Sequence, residues 1–205
     1  MLRVENLKIG SLPPLSFEVA GAECLAVEGP SGAGKSRLLR AIADLDPVRG
    51  HISVDGASQR EMPAASWRRL VRYAAAEPVW WTDTVRQGLP GGPAGAARIQ
   101  RMMAALNLDP RLLDAPLALL STGERQRFAL IRALVDEPRV LLLDEPTAAL
   151  DPANAALVEE MIRYQLLAGK SVLIASHDRG LLARLAHQRL QLARPVLPAR
   201  GGRAA

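Results

Sequence analysis

Cys24-Leu-Ala-Val-Glu28 runs straight into Gly29-Pro30-Ser31-Gly32-Ala33-Gly34-Lys35-Ser36, and Lys35 then opens a stretch with Leu38, Leu39, Ile42 and Ala43 on one helical face. The loop fits G-x-x-x-x-G-K-[ST] between a strand and a helix, the context in which this pattern cradles phosphates. Its glycines let the backbone wrap closely and aim its N–H groups inward. The start of the helix adds its positive dipole end. Lys35 is then expected to contact the β- and γ-phosphates, and the Ser36 hydroxyl to bind magnesium.

A phosphate loop of this kind needs an acidic partner. Val140-Leu-Leu-Leu-Asp144-Glu145 supplies one, as an apolar strand ending in two carboxylates. Asp144 at the tip is expected to hold the magnesium, directly or through water. Glu145, one residue further, is expected to accept a proton from the attacking water.

Around these two strands the chain alternates strand and helix. Ser171–Ala175 reads as a second buried strand, with a helix from about Gly180. Asp151-Pro152 is an N-cap and first-turn pair for a helix carrying Leu157, Met161, Leu166 and Leu167. Ser121 opens a helix to about Val135, and Ala96–Leu108 is a further helix candidate. This alternation predicts an α/β fold with a parallel sheet. At the N-terminus, Leu2–Ile9 and Leu15–Val19 alternate on either side of Pro13-Pro14 and read as a hairpin or meander, and His51–Val54 reads as a strand before the Asp55-Gly56 turn. Residues 63–95 are punctuated by prolines and glycines and read mainly as loops and short elements. The tail from Arg194 is expected to be poorly ordered.

Composition bounds the function. The 205 residues are 49% hydrophobic and suit one sizeable domain. No apolar run approaches the roughly 20 residues that cross a bilayer, and no secretory signal is expected in the first residues, which alternate charged and apolar side chains. The one cysteine, Cys24, cannot form an internal disulfide, so a cytoplasmic protein is expected. The net charge of +5 comes from basic residues spread along the chain. That is not the clustered footprint of nucleic-acid binding, so nucleic acid is not an expected partner.

Leu120-Ser-Thr-Gly-Glu-Arg-Gln126 resembles the LSGGQ signature of ATP-binding-cassette proteins and precedes the acidic strand by the usual interval. Ala148-Ala-Leu-Asp151 resembles the D-loop of that family, and Ser176-His177-Asp178 its switch histidine. With the phosphate loop and the acidic strand, these elements stand in the family's order over nearly the whole chain. The resemblance implies a P-loop NTPase with a RecA-like, mainly parallel sheet core. It also implies an N-terminal antiparallel β subdomain and a small helical subdomain at about 80–135, all within residues 1–193. ATP and magnesium are the implied ligands. Ser121, Gly123 and Glu124, with Asp151, are implied to act on ATP held by a partner subunit, in a head-to-tail homodimer or heterodimer. Ser121 with Glu124 is also a capping-box pattern in its own right. His177 is implied to contact the γ-phosphate, whereas His51 and His187 read as structural.

The chain departs from the family in places. Ala76 stands where the Q-loop glutamine is expected, with Glu77 one residue later as a possible substitute. No aromatic residue near Lys8–Leu12 is available to stack on adenine, and Arg37 replaces the threonine that commonly follows the magnesium-binding serine. Trp80-Trp81 fall where the family has the groove for a membrane subunit, and both core packing and presentation to a partner are open to them. The leading expectation is the ATPase subunit of a transporter, peripheral on the cytoplasmic face of the membrane and powering a separate permease. The alternatives are a non-transport cassette acting on nucleic acid or ribosomes, a small-molecule kinase, and a cassette that binds ATP but hydrolyses it slowly.

Overall fold

The structure is a computed structural model, described for residues 1–90 and 93–193. The tail from Arg194, with Gly91 and Gly92, lies outside the described residues.

The N-terminal alternation builds a small antiparallel sheet. β1 (Leu2–Lys8) pairs with β2 (Leu15–Val19), β3 is Cys24–Glu28, and β4 (Arg49–Val54) leads into β5 (Ala57–Ser58). The antiparallel order is β2-β1-β4-β5. Leu2, Val4 and Leu7 of β1 are buried, and a register shift between Val4 and Leu7 brings Leu7 inward out of strict alternation.

The second sheet comprises β3, β6 (Val71–Ala74), β7 (Val140–Asp144), β8 (Ser171–Ala175) and β9 (Gln188–Gln191), all parallel in the order β6-β7-β8-β3-β9. Its central strands are apolar on both faces because each face has its own core. Cys24, Ala26, Leu141, Leu143, Val172 and Ile174 face a core shared with α5 (Thr122–Leu134), α6 (Pro152–Leu167) and α7 (Arg179–Leu185). Leu25, Val27, Val140, Leu142, Leu173 and Ala175 face α1 (Lys35–Ile42) and the antiparallel sheet.

Residues 63–95 contain more structure than their glycines and prolines suggest. Ala64–Leu70 forms α2, and Trp67 anchors it: the side chain is fully buried and its Nε1–H donates to the Ile42 carbonyl at the end of α1 at 2.8 Å. β6 then pairs with β7 as an edge strand. Both elements depend on partners distant in sequence, so local turn signals outweigh them when the chain is read alone. After Val85–Gly88 (α3), Pro93–Ala105 (α4) covers much of the expected Ala96–Leu108 helix. It stops before Leu108 because Asn107 turns left-handed at φ 50 and the Leu108 N–H reaches back to the Met103 carbonyl. β9 is polar on its exposed edge and is held by its pairing with β3 and by the Arg189–Glu28 ion pair.

Candidate functional site

The carboxyl ends of β3, β7 and β8 lie side by side, with Val27 and Asp144 each paired to Ala175. Ligands of open parallel sheets bind beyond such strand ends. Here β3 delivers the glycine loop, β7 the two carboxylates, and β8 Ser176 and His177.

The loop leaves β3 at Gly29, whose φ of 149 and close approach to the Leu192 carbonyl (2.7 Å from where a Cβ would stand) leave no space for a side chain. Lys35 is buried at 8% exposure in the first turn of α1, and its ammonium donates to the Gly29 carbonyl at 2.8 Å. The same Nζ lies 3.4 Å from His177 Nε2. Ser36 is exposed on the following turn position.

The two carboxylates diverge. Asp144 is the last residue of β7, on the α1 face, and accepts a hydrogen bond from the Tyr73 hydroxyl at 2.9 Å. Burial first, and then the Asp144 charge, push the Tyr73 hydroxyl well above its ordinary range, so it stays protonated and donates. Glu145 leaves the strand in the left-handed region at φ 46, a conformation that costs a non-glycine residue roughly 1–2 kcal/mol. Its neighbours over-determine that strain. Its N–H donates to the Ala175 carbonyl at 2.8 Å, and its carbonyl accepts from the Gln126 side-chain amide at 2.7 Å. The carboxylate thereby turns toward β8, where Oε2 accepts from the Ser176 hydroxyl at 3.0 Å and the His177 N–H at 3.2 Å. Oε1 lies 3.7 Å from His177 Nε2, is buried, and has no hydrogen-bond partner among the described residues. A buried acceptor without a partner, on a strained residue, is the pattern of a group kept for a ligand.

Lys35, His177 and Glu145 are thus brought into one cluster, with Asp144 beside Glu145. The hollow of about 650 Å³ next to them is lined by Gly29, Pro30, Ser176, His177 and Arg179.

Ser121, Gly123, Glu124 and Asp151 form a separate group. The capping box is complete: Ser121 Oγ accepts the Glu124 N–H at 3.2 Å, and Glu124 Oε2 accepts from the Ser121 N–H at 2.8 Å. A Cβ on Gly123 would approach Leu150 at 3.1 Å and the Ala149 carbonyl at 3.2 Å, so the start of α5 packs on the segment leading to Asp151. Asp151 caps α6, and the Asn154 amide N–H, then its side chain, hold the Asp151 carboxyl below the usual carboxylate range. Among the described residues no hydrogen bond joins this group directly to Gly29–Ser36. The link to the first cluster is Gln126, only 5% exposed, which donates to the Glu145 carbonyl and accepts from the Ala149 N–H at 3.3 Å.

Gln126 stands in the sequence only as the end of the Leu120–Gln126 motif, and Tyr73 belongs to no motif. Neither carries a local signal, because both act across strands and helices far apart in the chain. The remaining histidines behave differently from His177. His187 Nδ1 accepts from the Cys24 N–H at 3.2 Å, and His51 lies exposed on β4.

Ala76 is half-buried and Glu77 exposed after β6. The two tryptophans part company. Trp80 packs against the core with the Arg132 guanidinium 4.2 Å from its ring centre, whereas Trp81 is 76% exposed beside Val79 at 70%. Trp81 borders a groove of about 620 Å³ whose lining also includes Tyr73, Ala74, Glu77, Val79 and Arg132. Among the described residues no helix is long and apolar enough to cross a membrane.

The family model for ABC transporters matches residues 12–148. Protein STAR1 of Oryza sativa subsp. japonica is 35% identical over 180 residues, which cover 84% of this chain and 52% of the relative. The cytochrome c biogenesis ATP-binding export protein CcmA of Ruegeria sp. (strain TM1040) is 35% identical over 192 residues, 90% of this chain and 89% of that protein. The chain therefore spans about half the length of the first relative and most of the second. A solved ATP-binding subunit of an ABC transporter superposes with a TM-score of 0.86, at 26% identity over 95% of this chain and 86% of that one. This chain therefore belongs to the ABC transporter family as a single nucleotide-binding cassette of α/β P-loop fold.

Proposed function

We propose that the chain is the ATP-hydrolysing subunit of an ABC transporter and works on a separate membrane permease, within residues 1–193 and with 80–135 as its helical part. The observation that carries the catalytic reading is the buried, unpartnered Glu145 Oε1 beside His177 and Lys35.

In this reading the N–H groups of Gly29–Ser36 (Gly29, Pro30, Ser31, Gly32, Ala33, Gly34, Lys35 and Ser36, the proline aside) surround the phosphates. Lys35 moves its ammonium from the Gly29 carbonyl to the β- and γ-phosphates. Ser36 and Asp144 fit magnesium as oxygen donors: one hydroxyl and one carboxylate, with substrate phosphates and waters completing the shell. Bound magnesium would neutralise charge on the phosphate oxygens. Glu145 accepts the proton of the attacking water at Oε1 while Ser176 and the His177 N–H steady Oε2. His177 holds its ring against the γ-phosphate.

Ser121, Gly123 and Glu124 at the start of α5, together with Asp151, contact ATP bound to a second copy or a related subunit in a head-to-tail dimer. The exposure of Ser121 and Asp151, with Gly123 and Glu124 half-buried between them, and the lack of a direct hydrogen bond to the chain's own glycine loop among the described residues support this arrangement. The groove below Trp81 is the surface offered to the permease, since an exposed tryptophan flanked by an arginine suits an interface hot spot. In this reading the chain works at the cytoplasmic face of the membrane.

Co-expression with a polytopic membrane protein encoded in a neighbouring reading frame tests the transport role. The chain should remain on washed membranes and lose that association in Trp81→Ala. A chain recovered wholly in the wash would overturn it.

A further inference from the structure

Tyr73 and Asp144 are neighbours by register. Tyr73 pairs with Leu142 across β6 and β7, and Asp144 lies two residues further along β7 on the same face. The two side chains lie on the same face of the parallel pair, and the hydroxyl spans the gap at 2.9 Å. It is the hydrogen bond that the described structure gives the Asp144 side chain. Asp144 is 5% exposed, so water is a poor substitute for that donor. Tyr73 also lines the groove that contains Val79, Trp81 and Arg132. Three residues beyond Tyr73 stands Ala76, whose methyl group can neither coordinate nor hydrogen-bond.

From this we infer that Tyr73 is the positioning residue of the magnesium site. Its hydroxyl holds one oxygen of the Asp144 carboxylate and leaves the other for the metal, and the same residue lines the groove. The inference rests on the assignment of Asp144 to magnesium in the proposed function and deepens it. It gives the chain a physical link between groove and metal that does not pass through position 76. Outer hydrogen-bond partners of metal-binding carboxylates typically change metal affinity by about 10–100-fold when removed.

The test uses the full chain carrying Tyr73→Phe, which keeps the ring and its packing and removes only the hydroxyl. Manganese binding to the ATP complex is followed by electron paramagnetic resonance in a Glu145→Gln background, to prevent turnover. Manganese affinity should fall about tenfold, while ATP affinity in EDTA stays within twofold. In the catalytically intact chain the magnesium concentration for half-maximal turnover should rise similarly, with kcat at saturating magnesium within threefold. Adding Tyr73→Phe to Asp144→Asn should weaken manganese by no more than twofold further, because the group it positions is already altered. Manganese affinity unchanged by Tyr73→Phe, or lowered equally in both backgrounds, would overturn the inference. If the parent chain showed no metal-dependent ATP binding, the magnesium assignment itself would fall and the inference with it, whereas normal parent binding with an unaffected Tyr73→Phe variant would count against Tyr73 alone.

Discussion

Replacing Glu145 with glutamine exchanges one carboxylate oxygen for an amide in a side chain already held from two sides. Ser176 Oγ and the His177 N–H both donate to Oε2, at 3.0 and 3.2 Å. A glutamine with its oxygen in that place keeps both bonds and puts NH₂ where the unpartnered Oε1 stood. The fold, the strained backbone at φ 46 and the Gln126 contact are unaffected by the change. What disappears is the proton acceptor. Loss of a general base costs about 10²–10⁴-fold in rate, which at about 1.36 kcal/mol per decade raises the barrier by about 2.7–5.4 kcal/mol. Phosphate release at saturating magnesium and ATP measures that loss, and fluorescent-nucleotide titration checks that binding is retained. Turnover within threefold of wild type, with binding preserved, would refute Glu145 as the base. Loss of binding together with turnover would show a structural role instead.

Trp67→Phe removes the donor that satisfies the Ile42 carbonyl at the end of α1 and leaves part of a fully buried site empty. The unsatisfied carbonyl and the cavity together should cost about 2–4 kcal/mol in urea unfolding; a midpoint unchanged from wild type would contradict this anchoring of α2 to the phosphate-loop helix. Burial pushes the Cys24 thiol up to about 12 from 9.0. Because the folded form keeps its proton after the unfolded chain has lost it, stability is full below pH 9.0 and falls as pH rises toward 12, by at most about 1.4 kcal/mol per pH unit. The decline in urea midpoint between pH 9 and 10.5 should therefore be shallower in Cys24→Ala, and parallel profiles would exclude the thiol as a cause. Trp81→Ala removes an exposed side chain that the core does not need, so thermal stability should change by less than about 0.5 kcal/mol; a larger loss would mean that Trp81 supports the fold rather than a partner surface.

The elements with short-range signals were legible in the sequence. Cys24–Glu28, Val140–Asp144 and Ser171–Ala175 are continuous apolar runs because both faces of the parallel sheet are buried, and structure and pattern agree there. Ser121 and Asp151 cap their helices through side-chain bonds formed within three residues, whereas the Asp178 cap starts α7 at Arg179, just before the Gly180 expected from the pattern. By contrast, β6 and β9 are short edge strands with polar or half-buried residues, stabilised by pairing to strands far away in the chain. The same distinction holds at the site. Lys35, Asp144, Glu145 and His177 lie in recognisable local motifs, whereas the hydrogen bond from Tyr73 to Asp144 spans 71 positions and that from Gln126 to Glu145 spans 19. The left-handed turn at Glu145 was equally hidden, because no glycine or asparagine marks it.

The central claim is that Gly29–Ser36 binds the phosphates of ATP, with Lys35 supplying the charge. Isothermal titration of ATP into the wild-type chain and into Lys35→Ala tests it directly. Lys35 is held over the loop by its 2.8 Å bond to the Gly29 carbonyl, so removing the ammonium should weaken ATP by at least about tenfold, or about 1.4 kcal/mol, while circular dichroism shows the fold intact. Equal affinity of the two proteins for ATP would contradict the assignment.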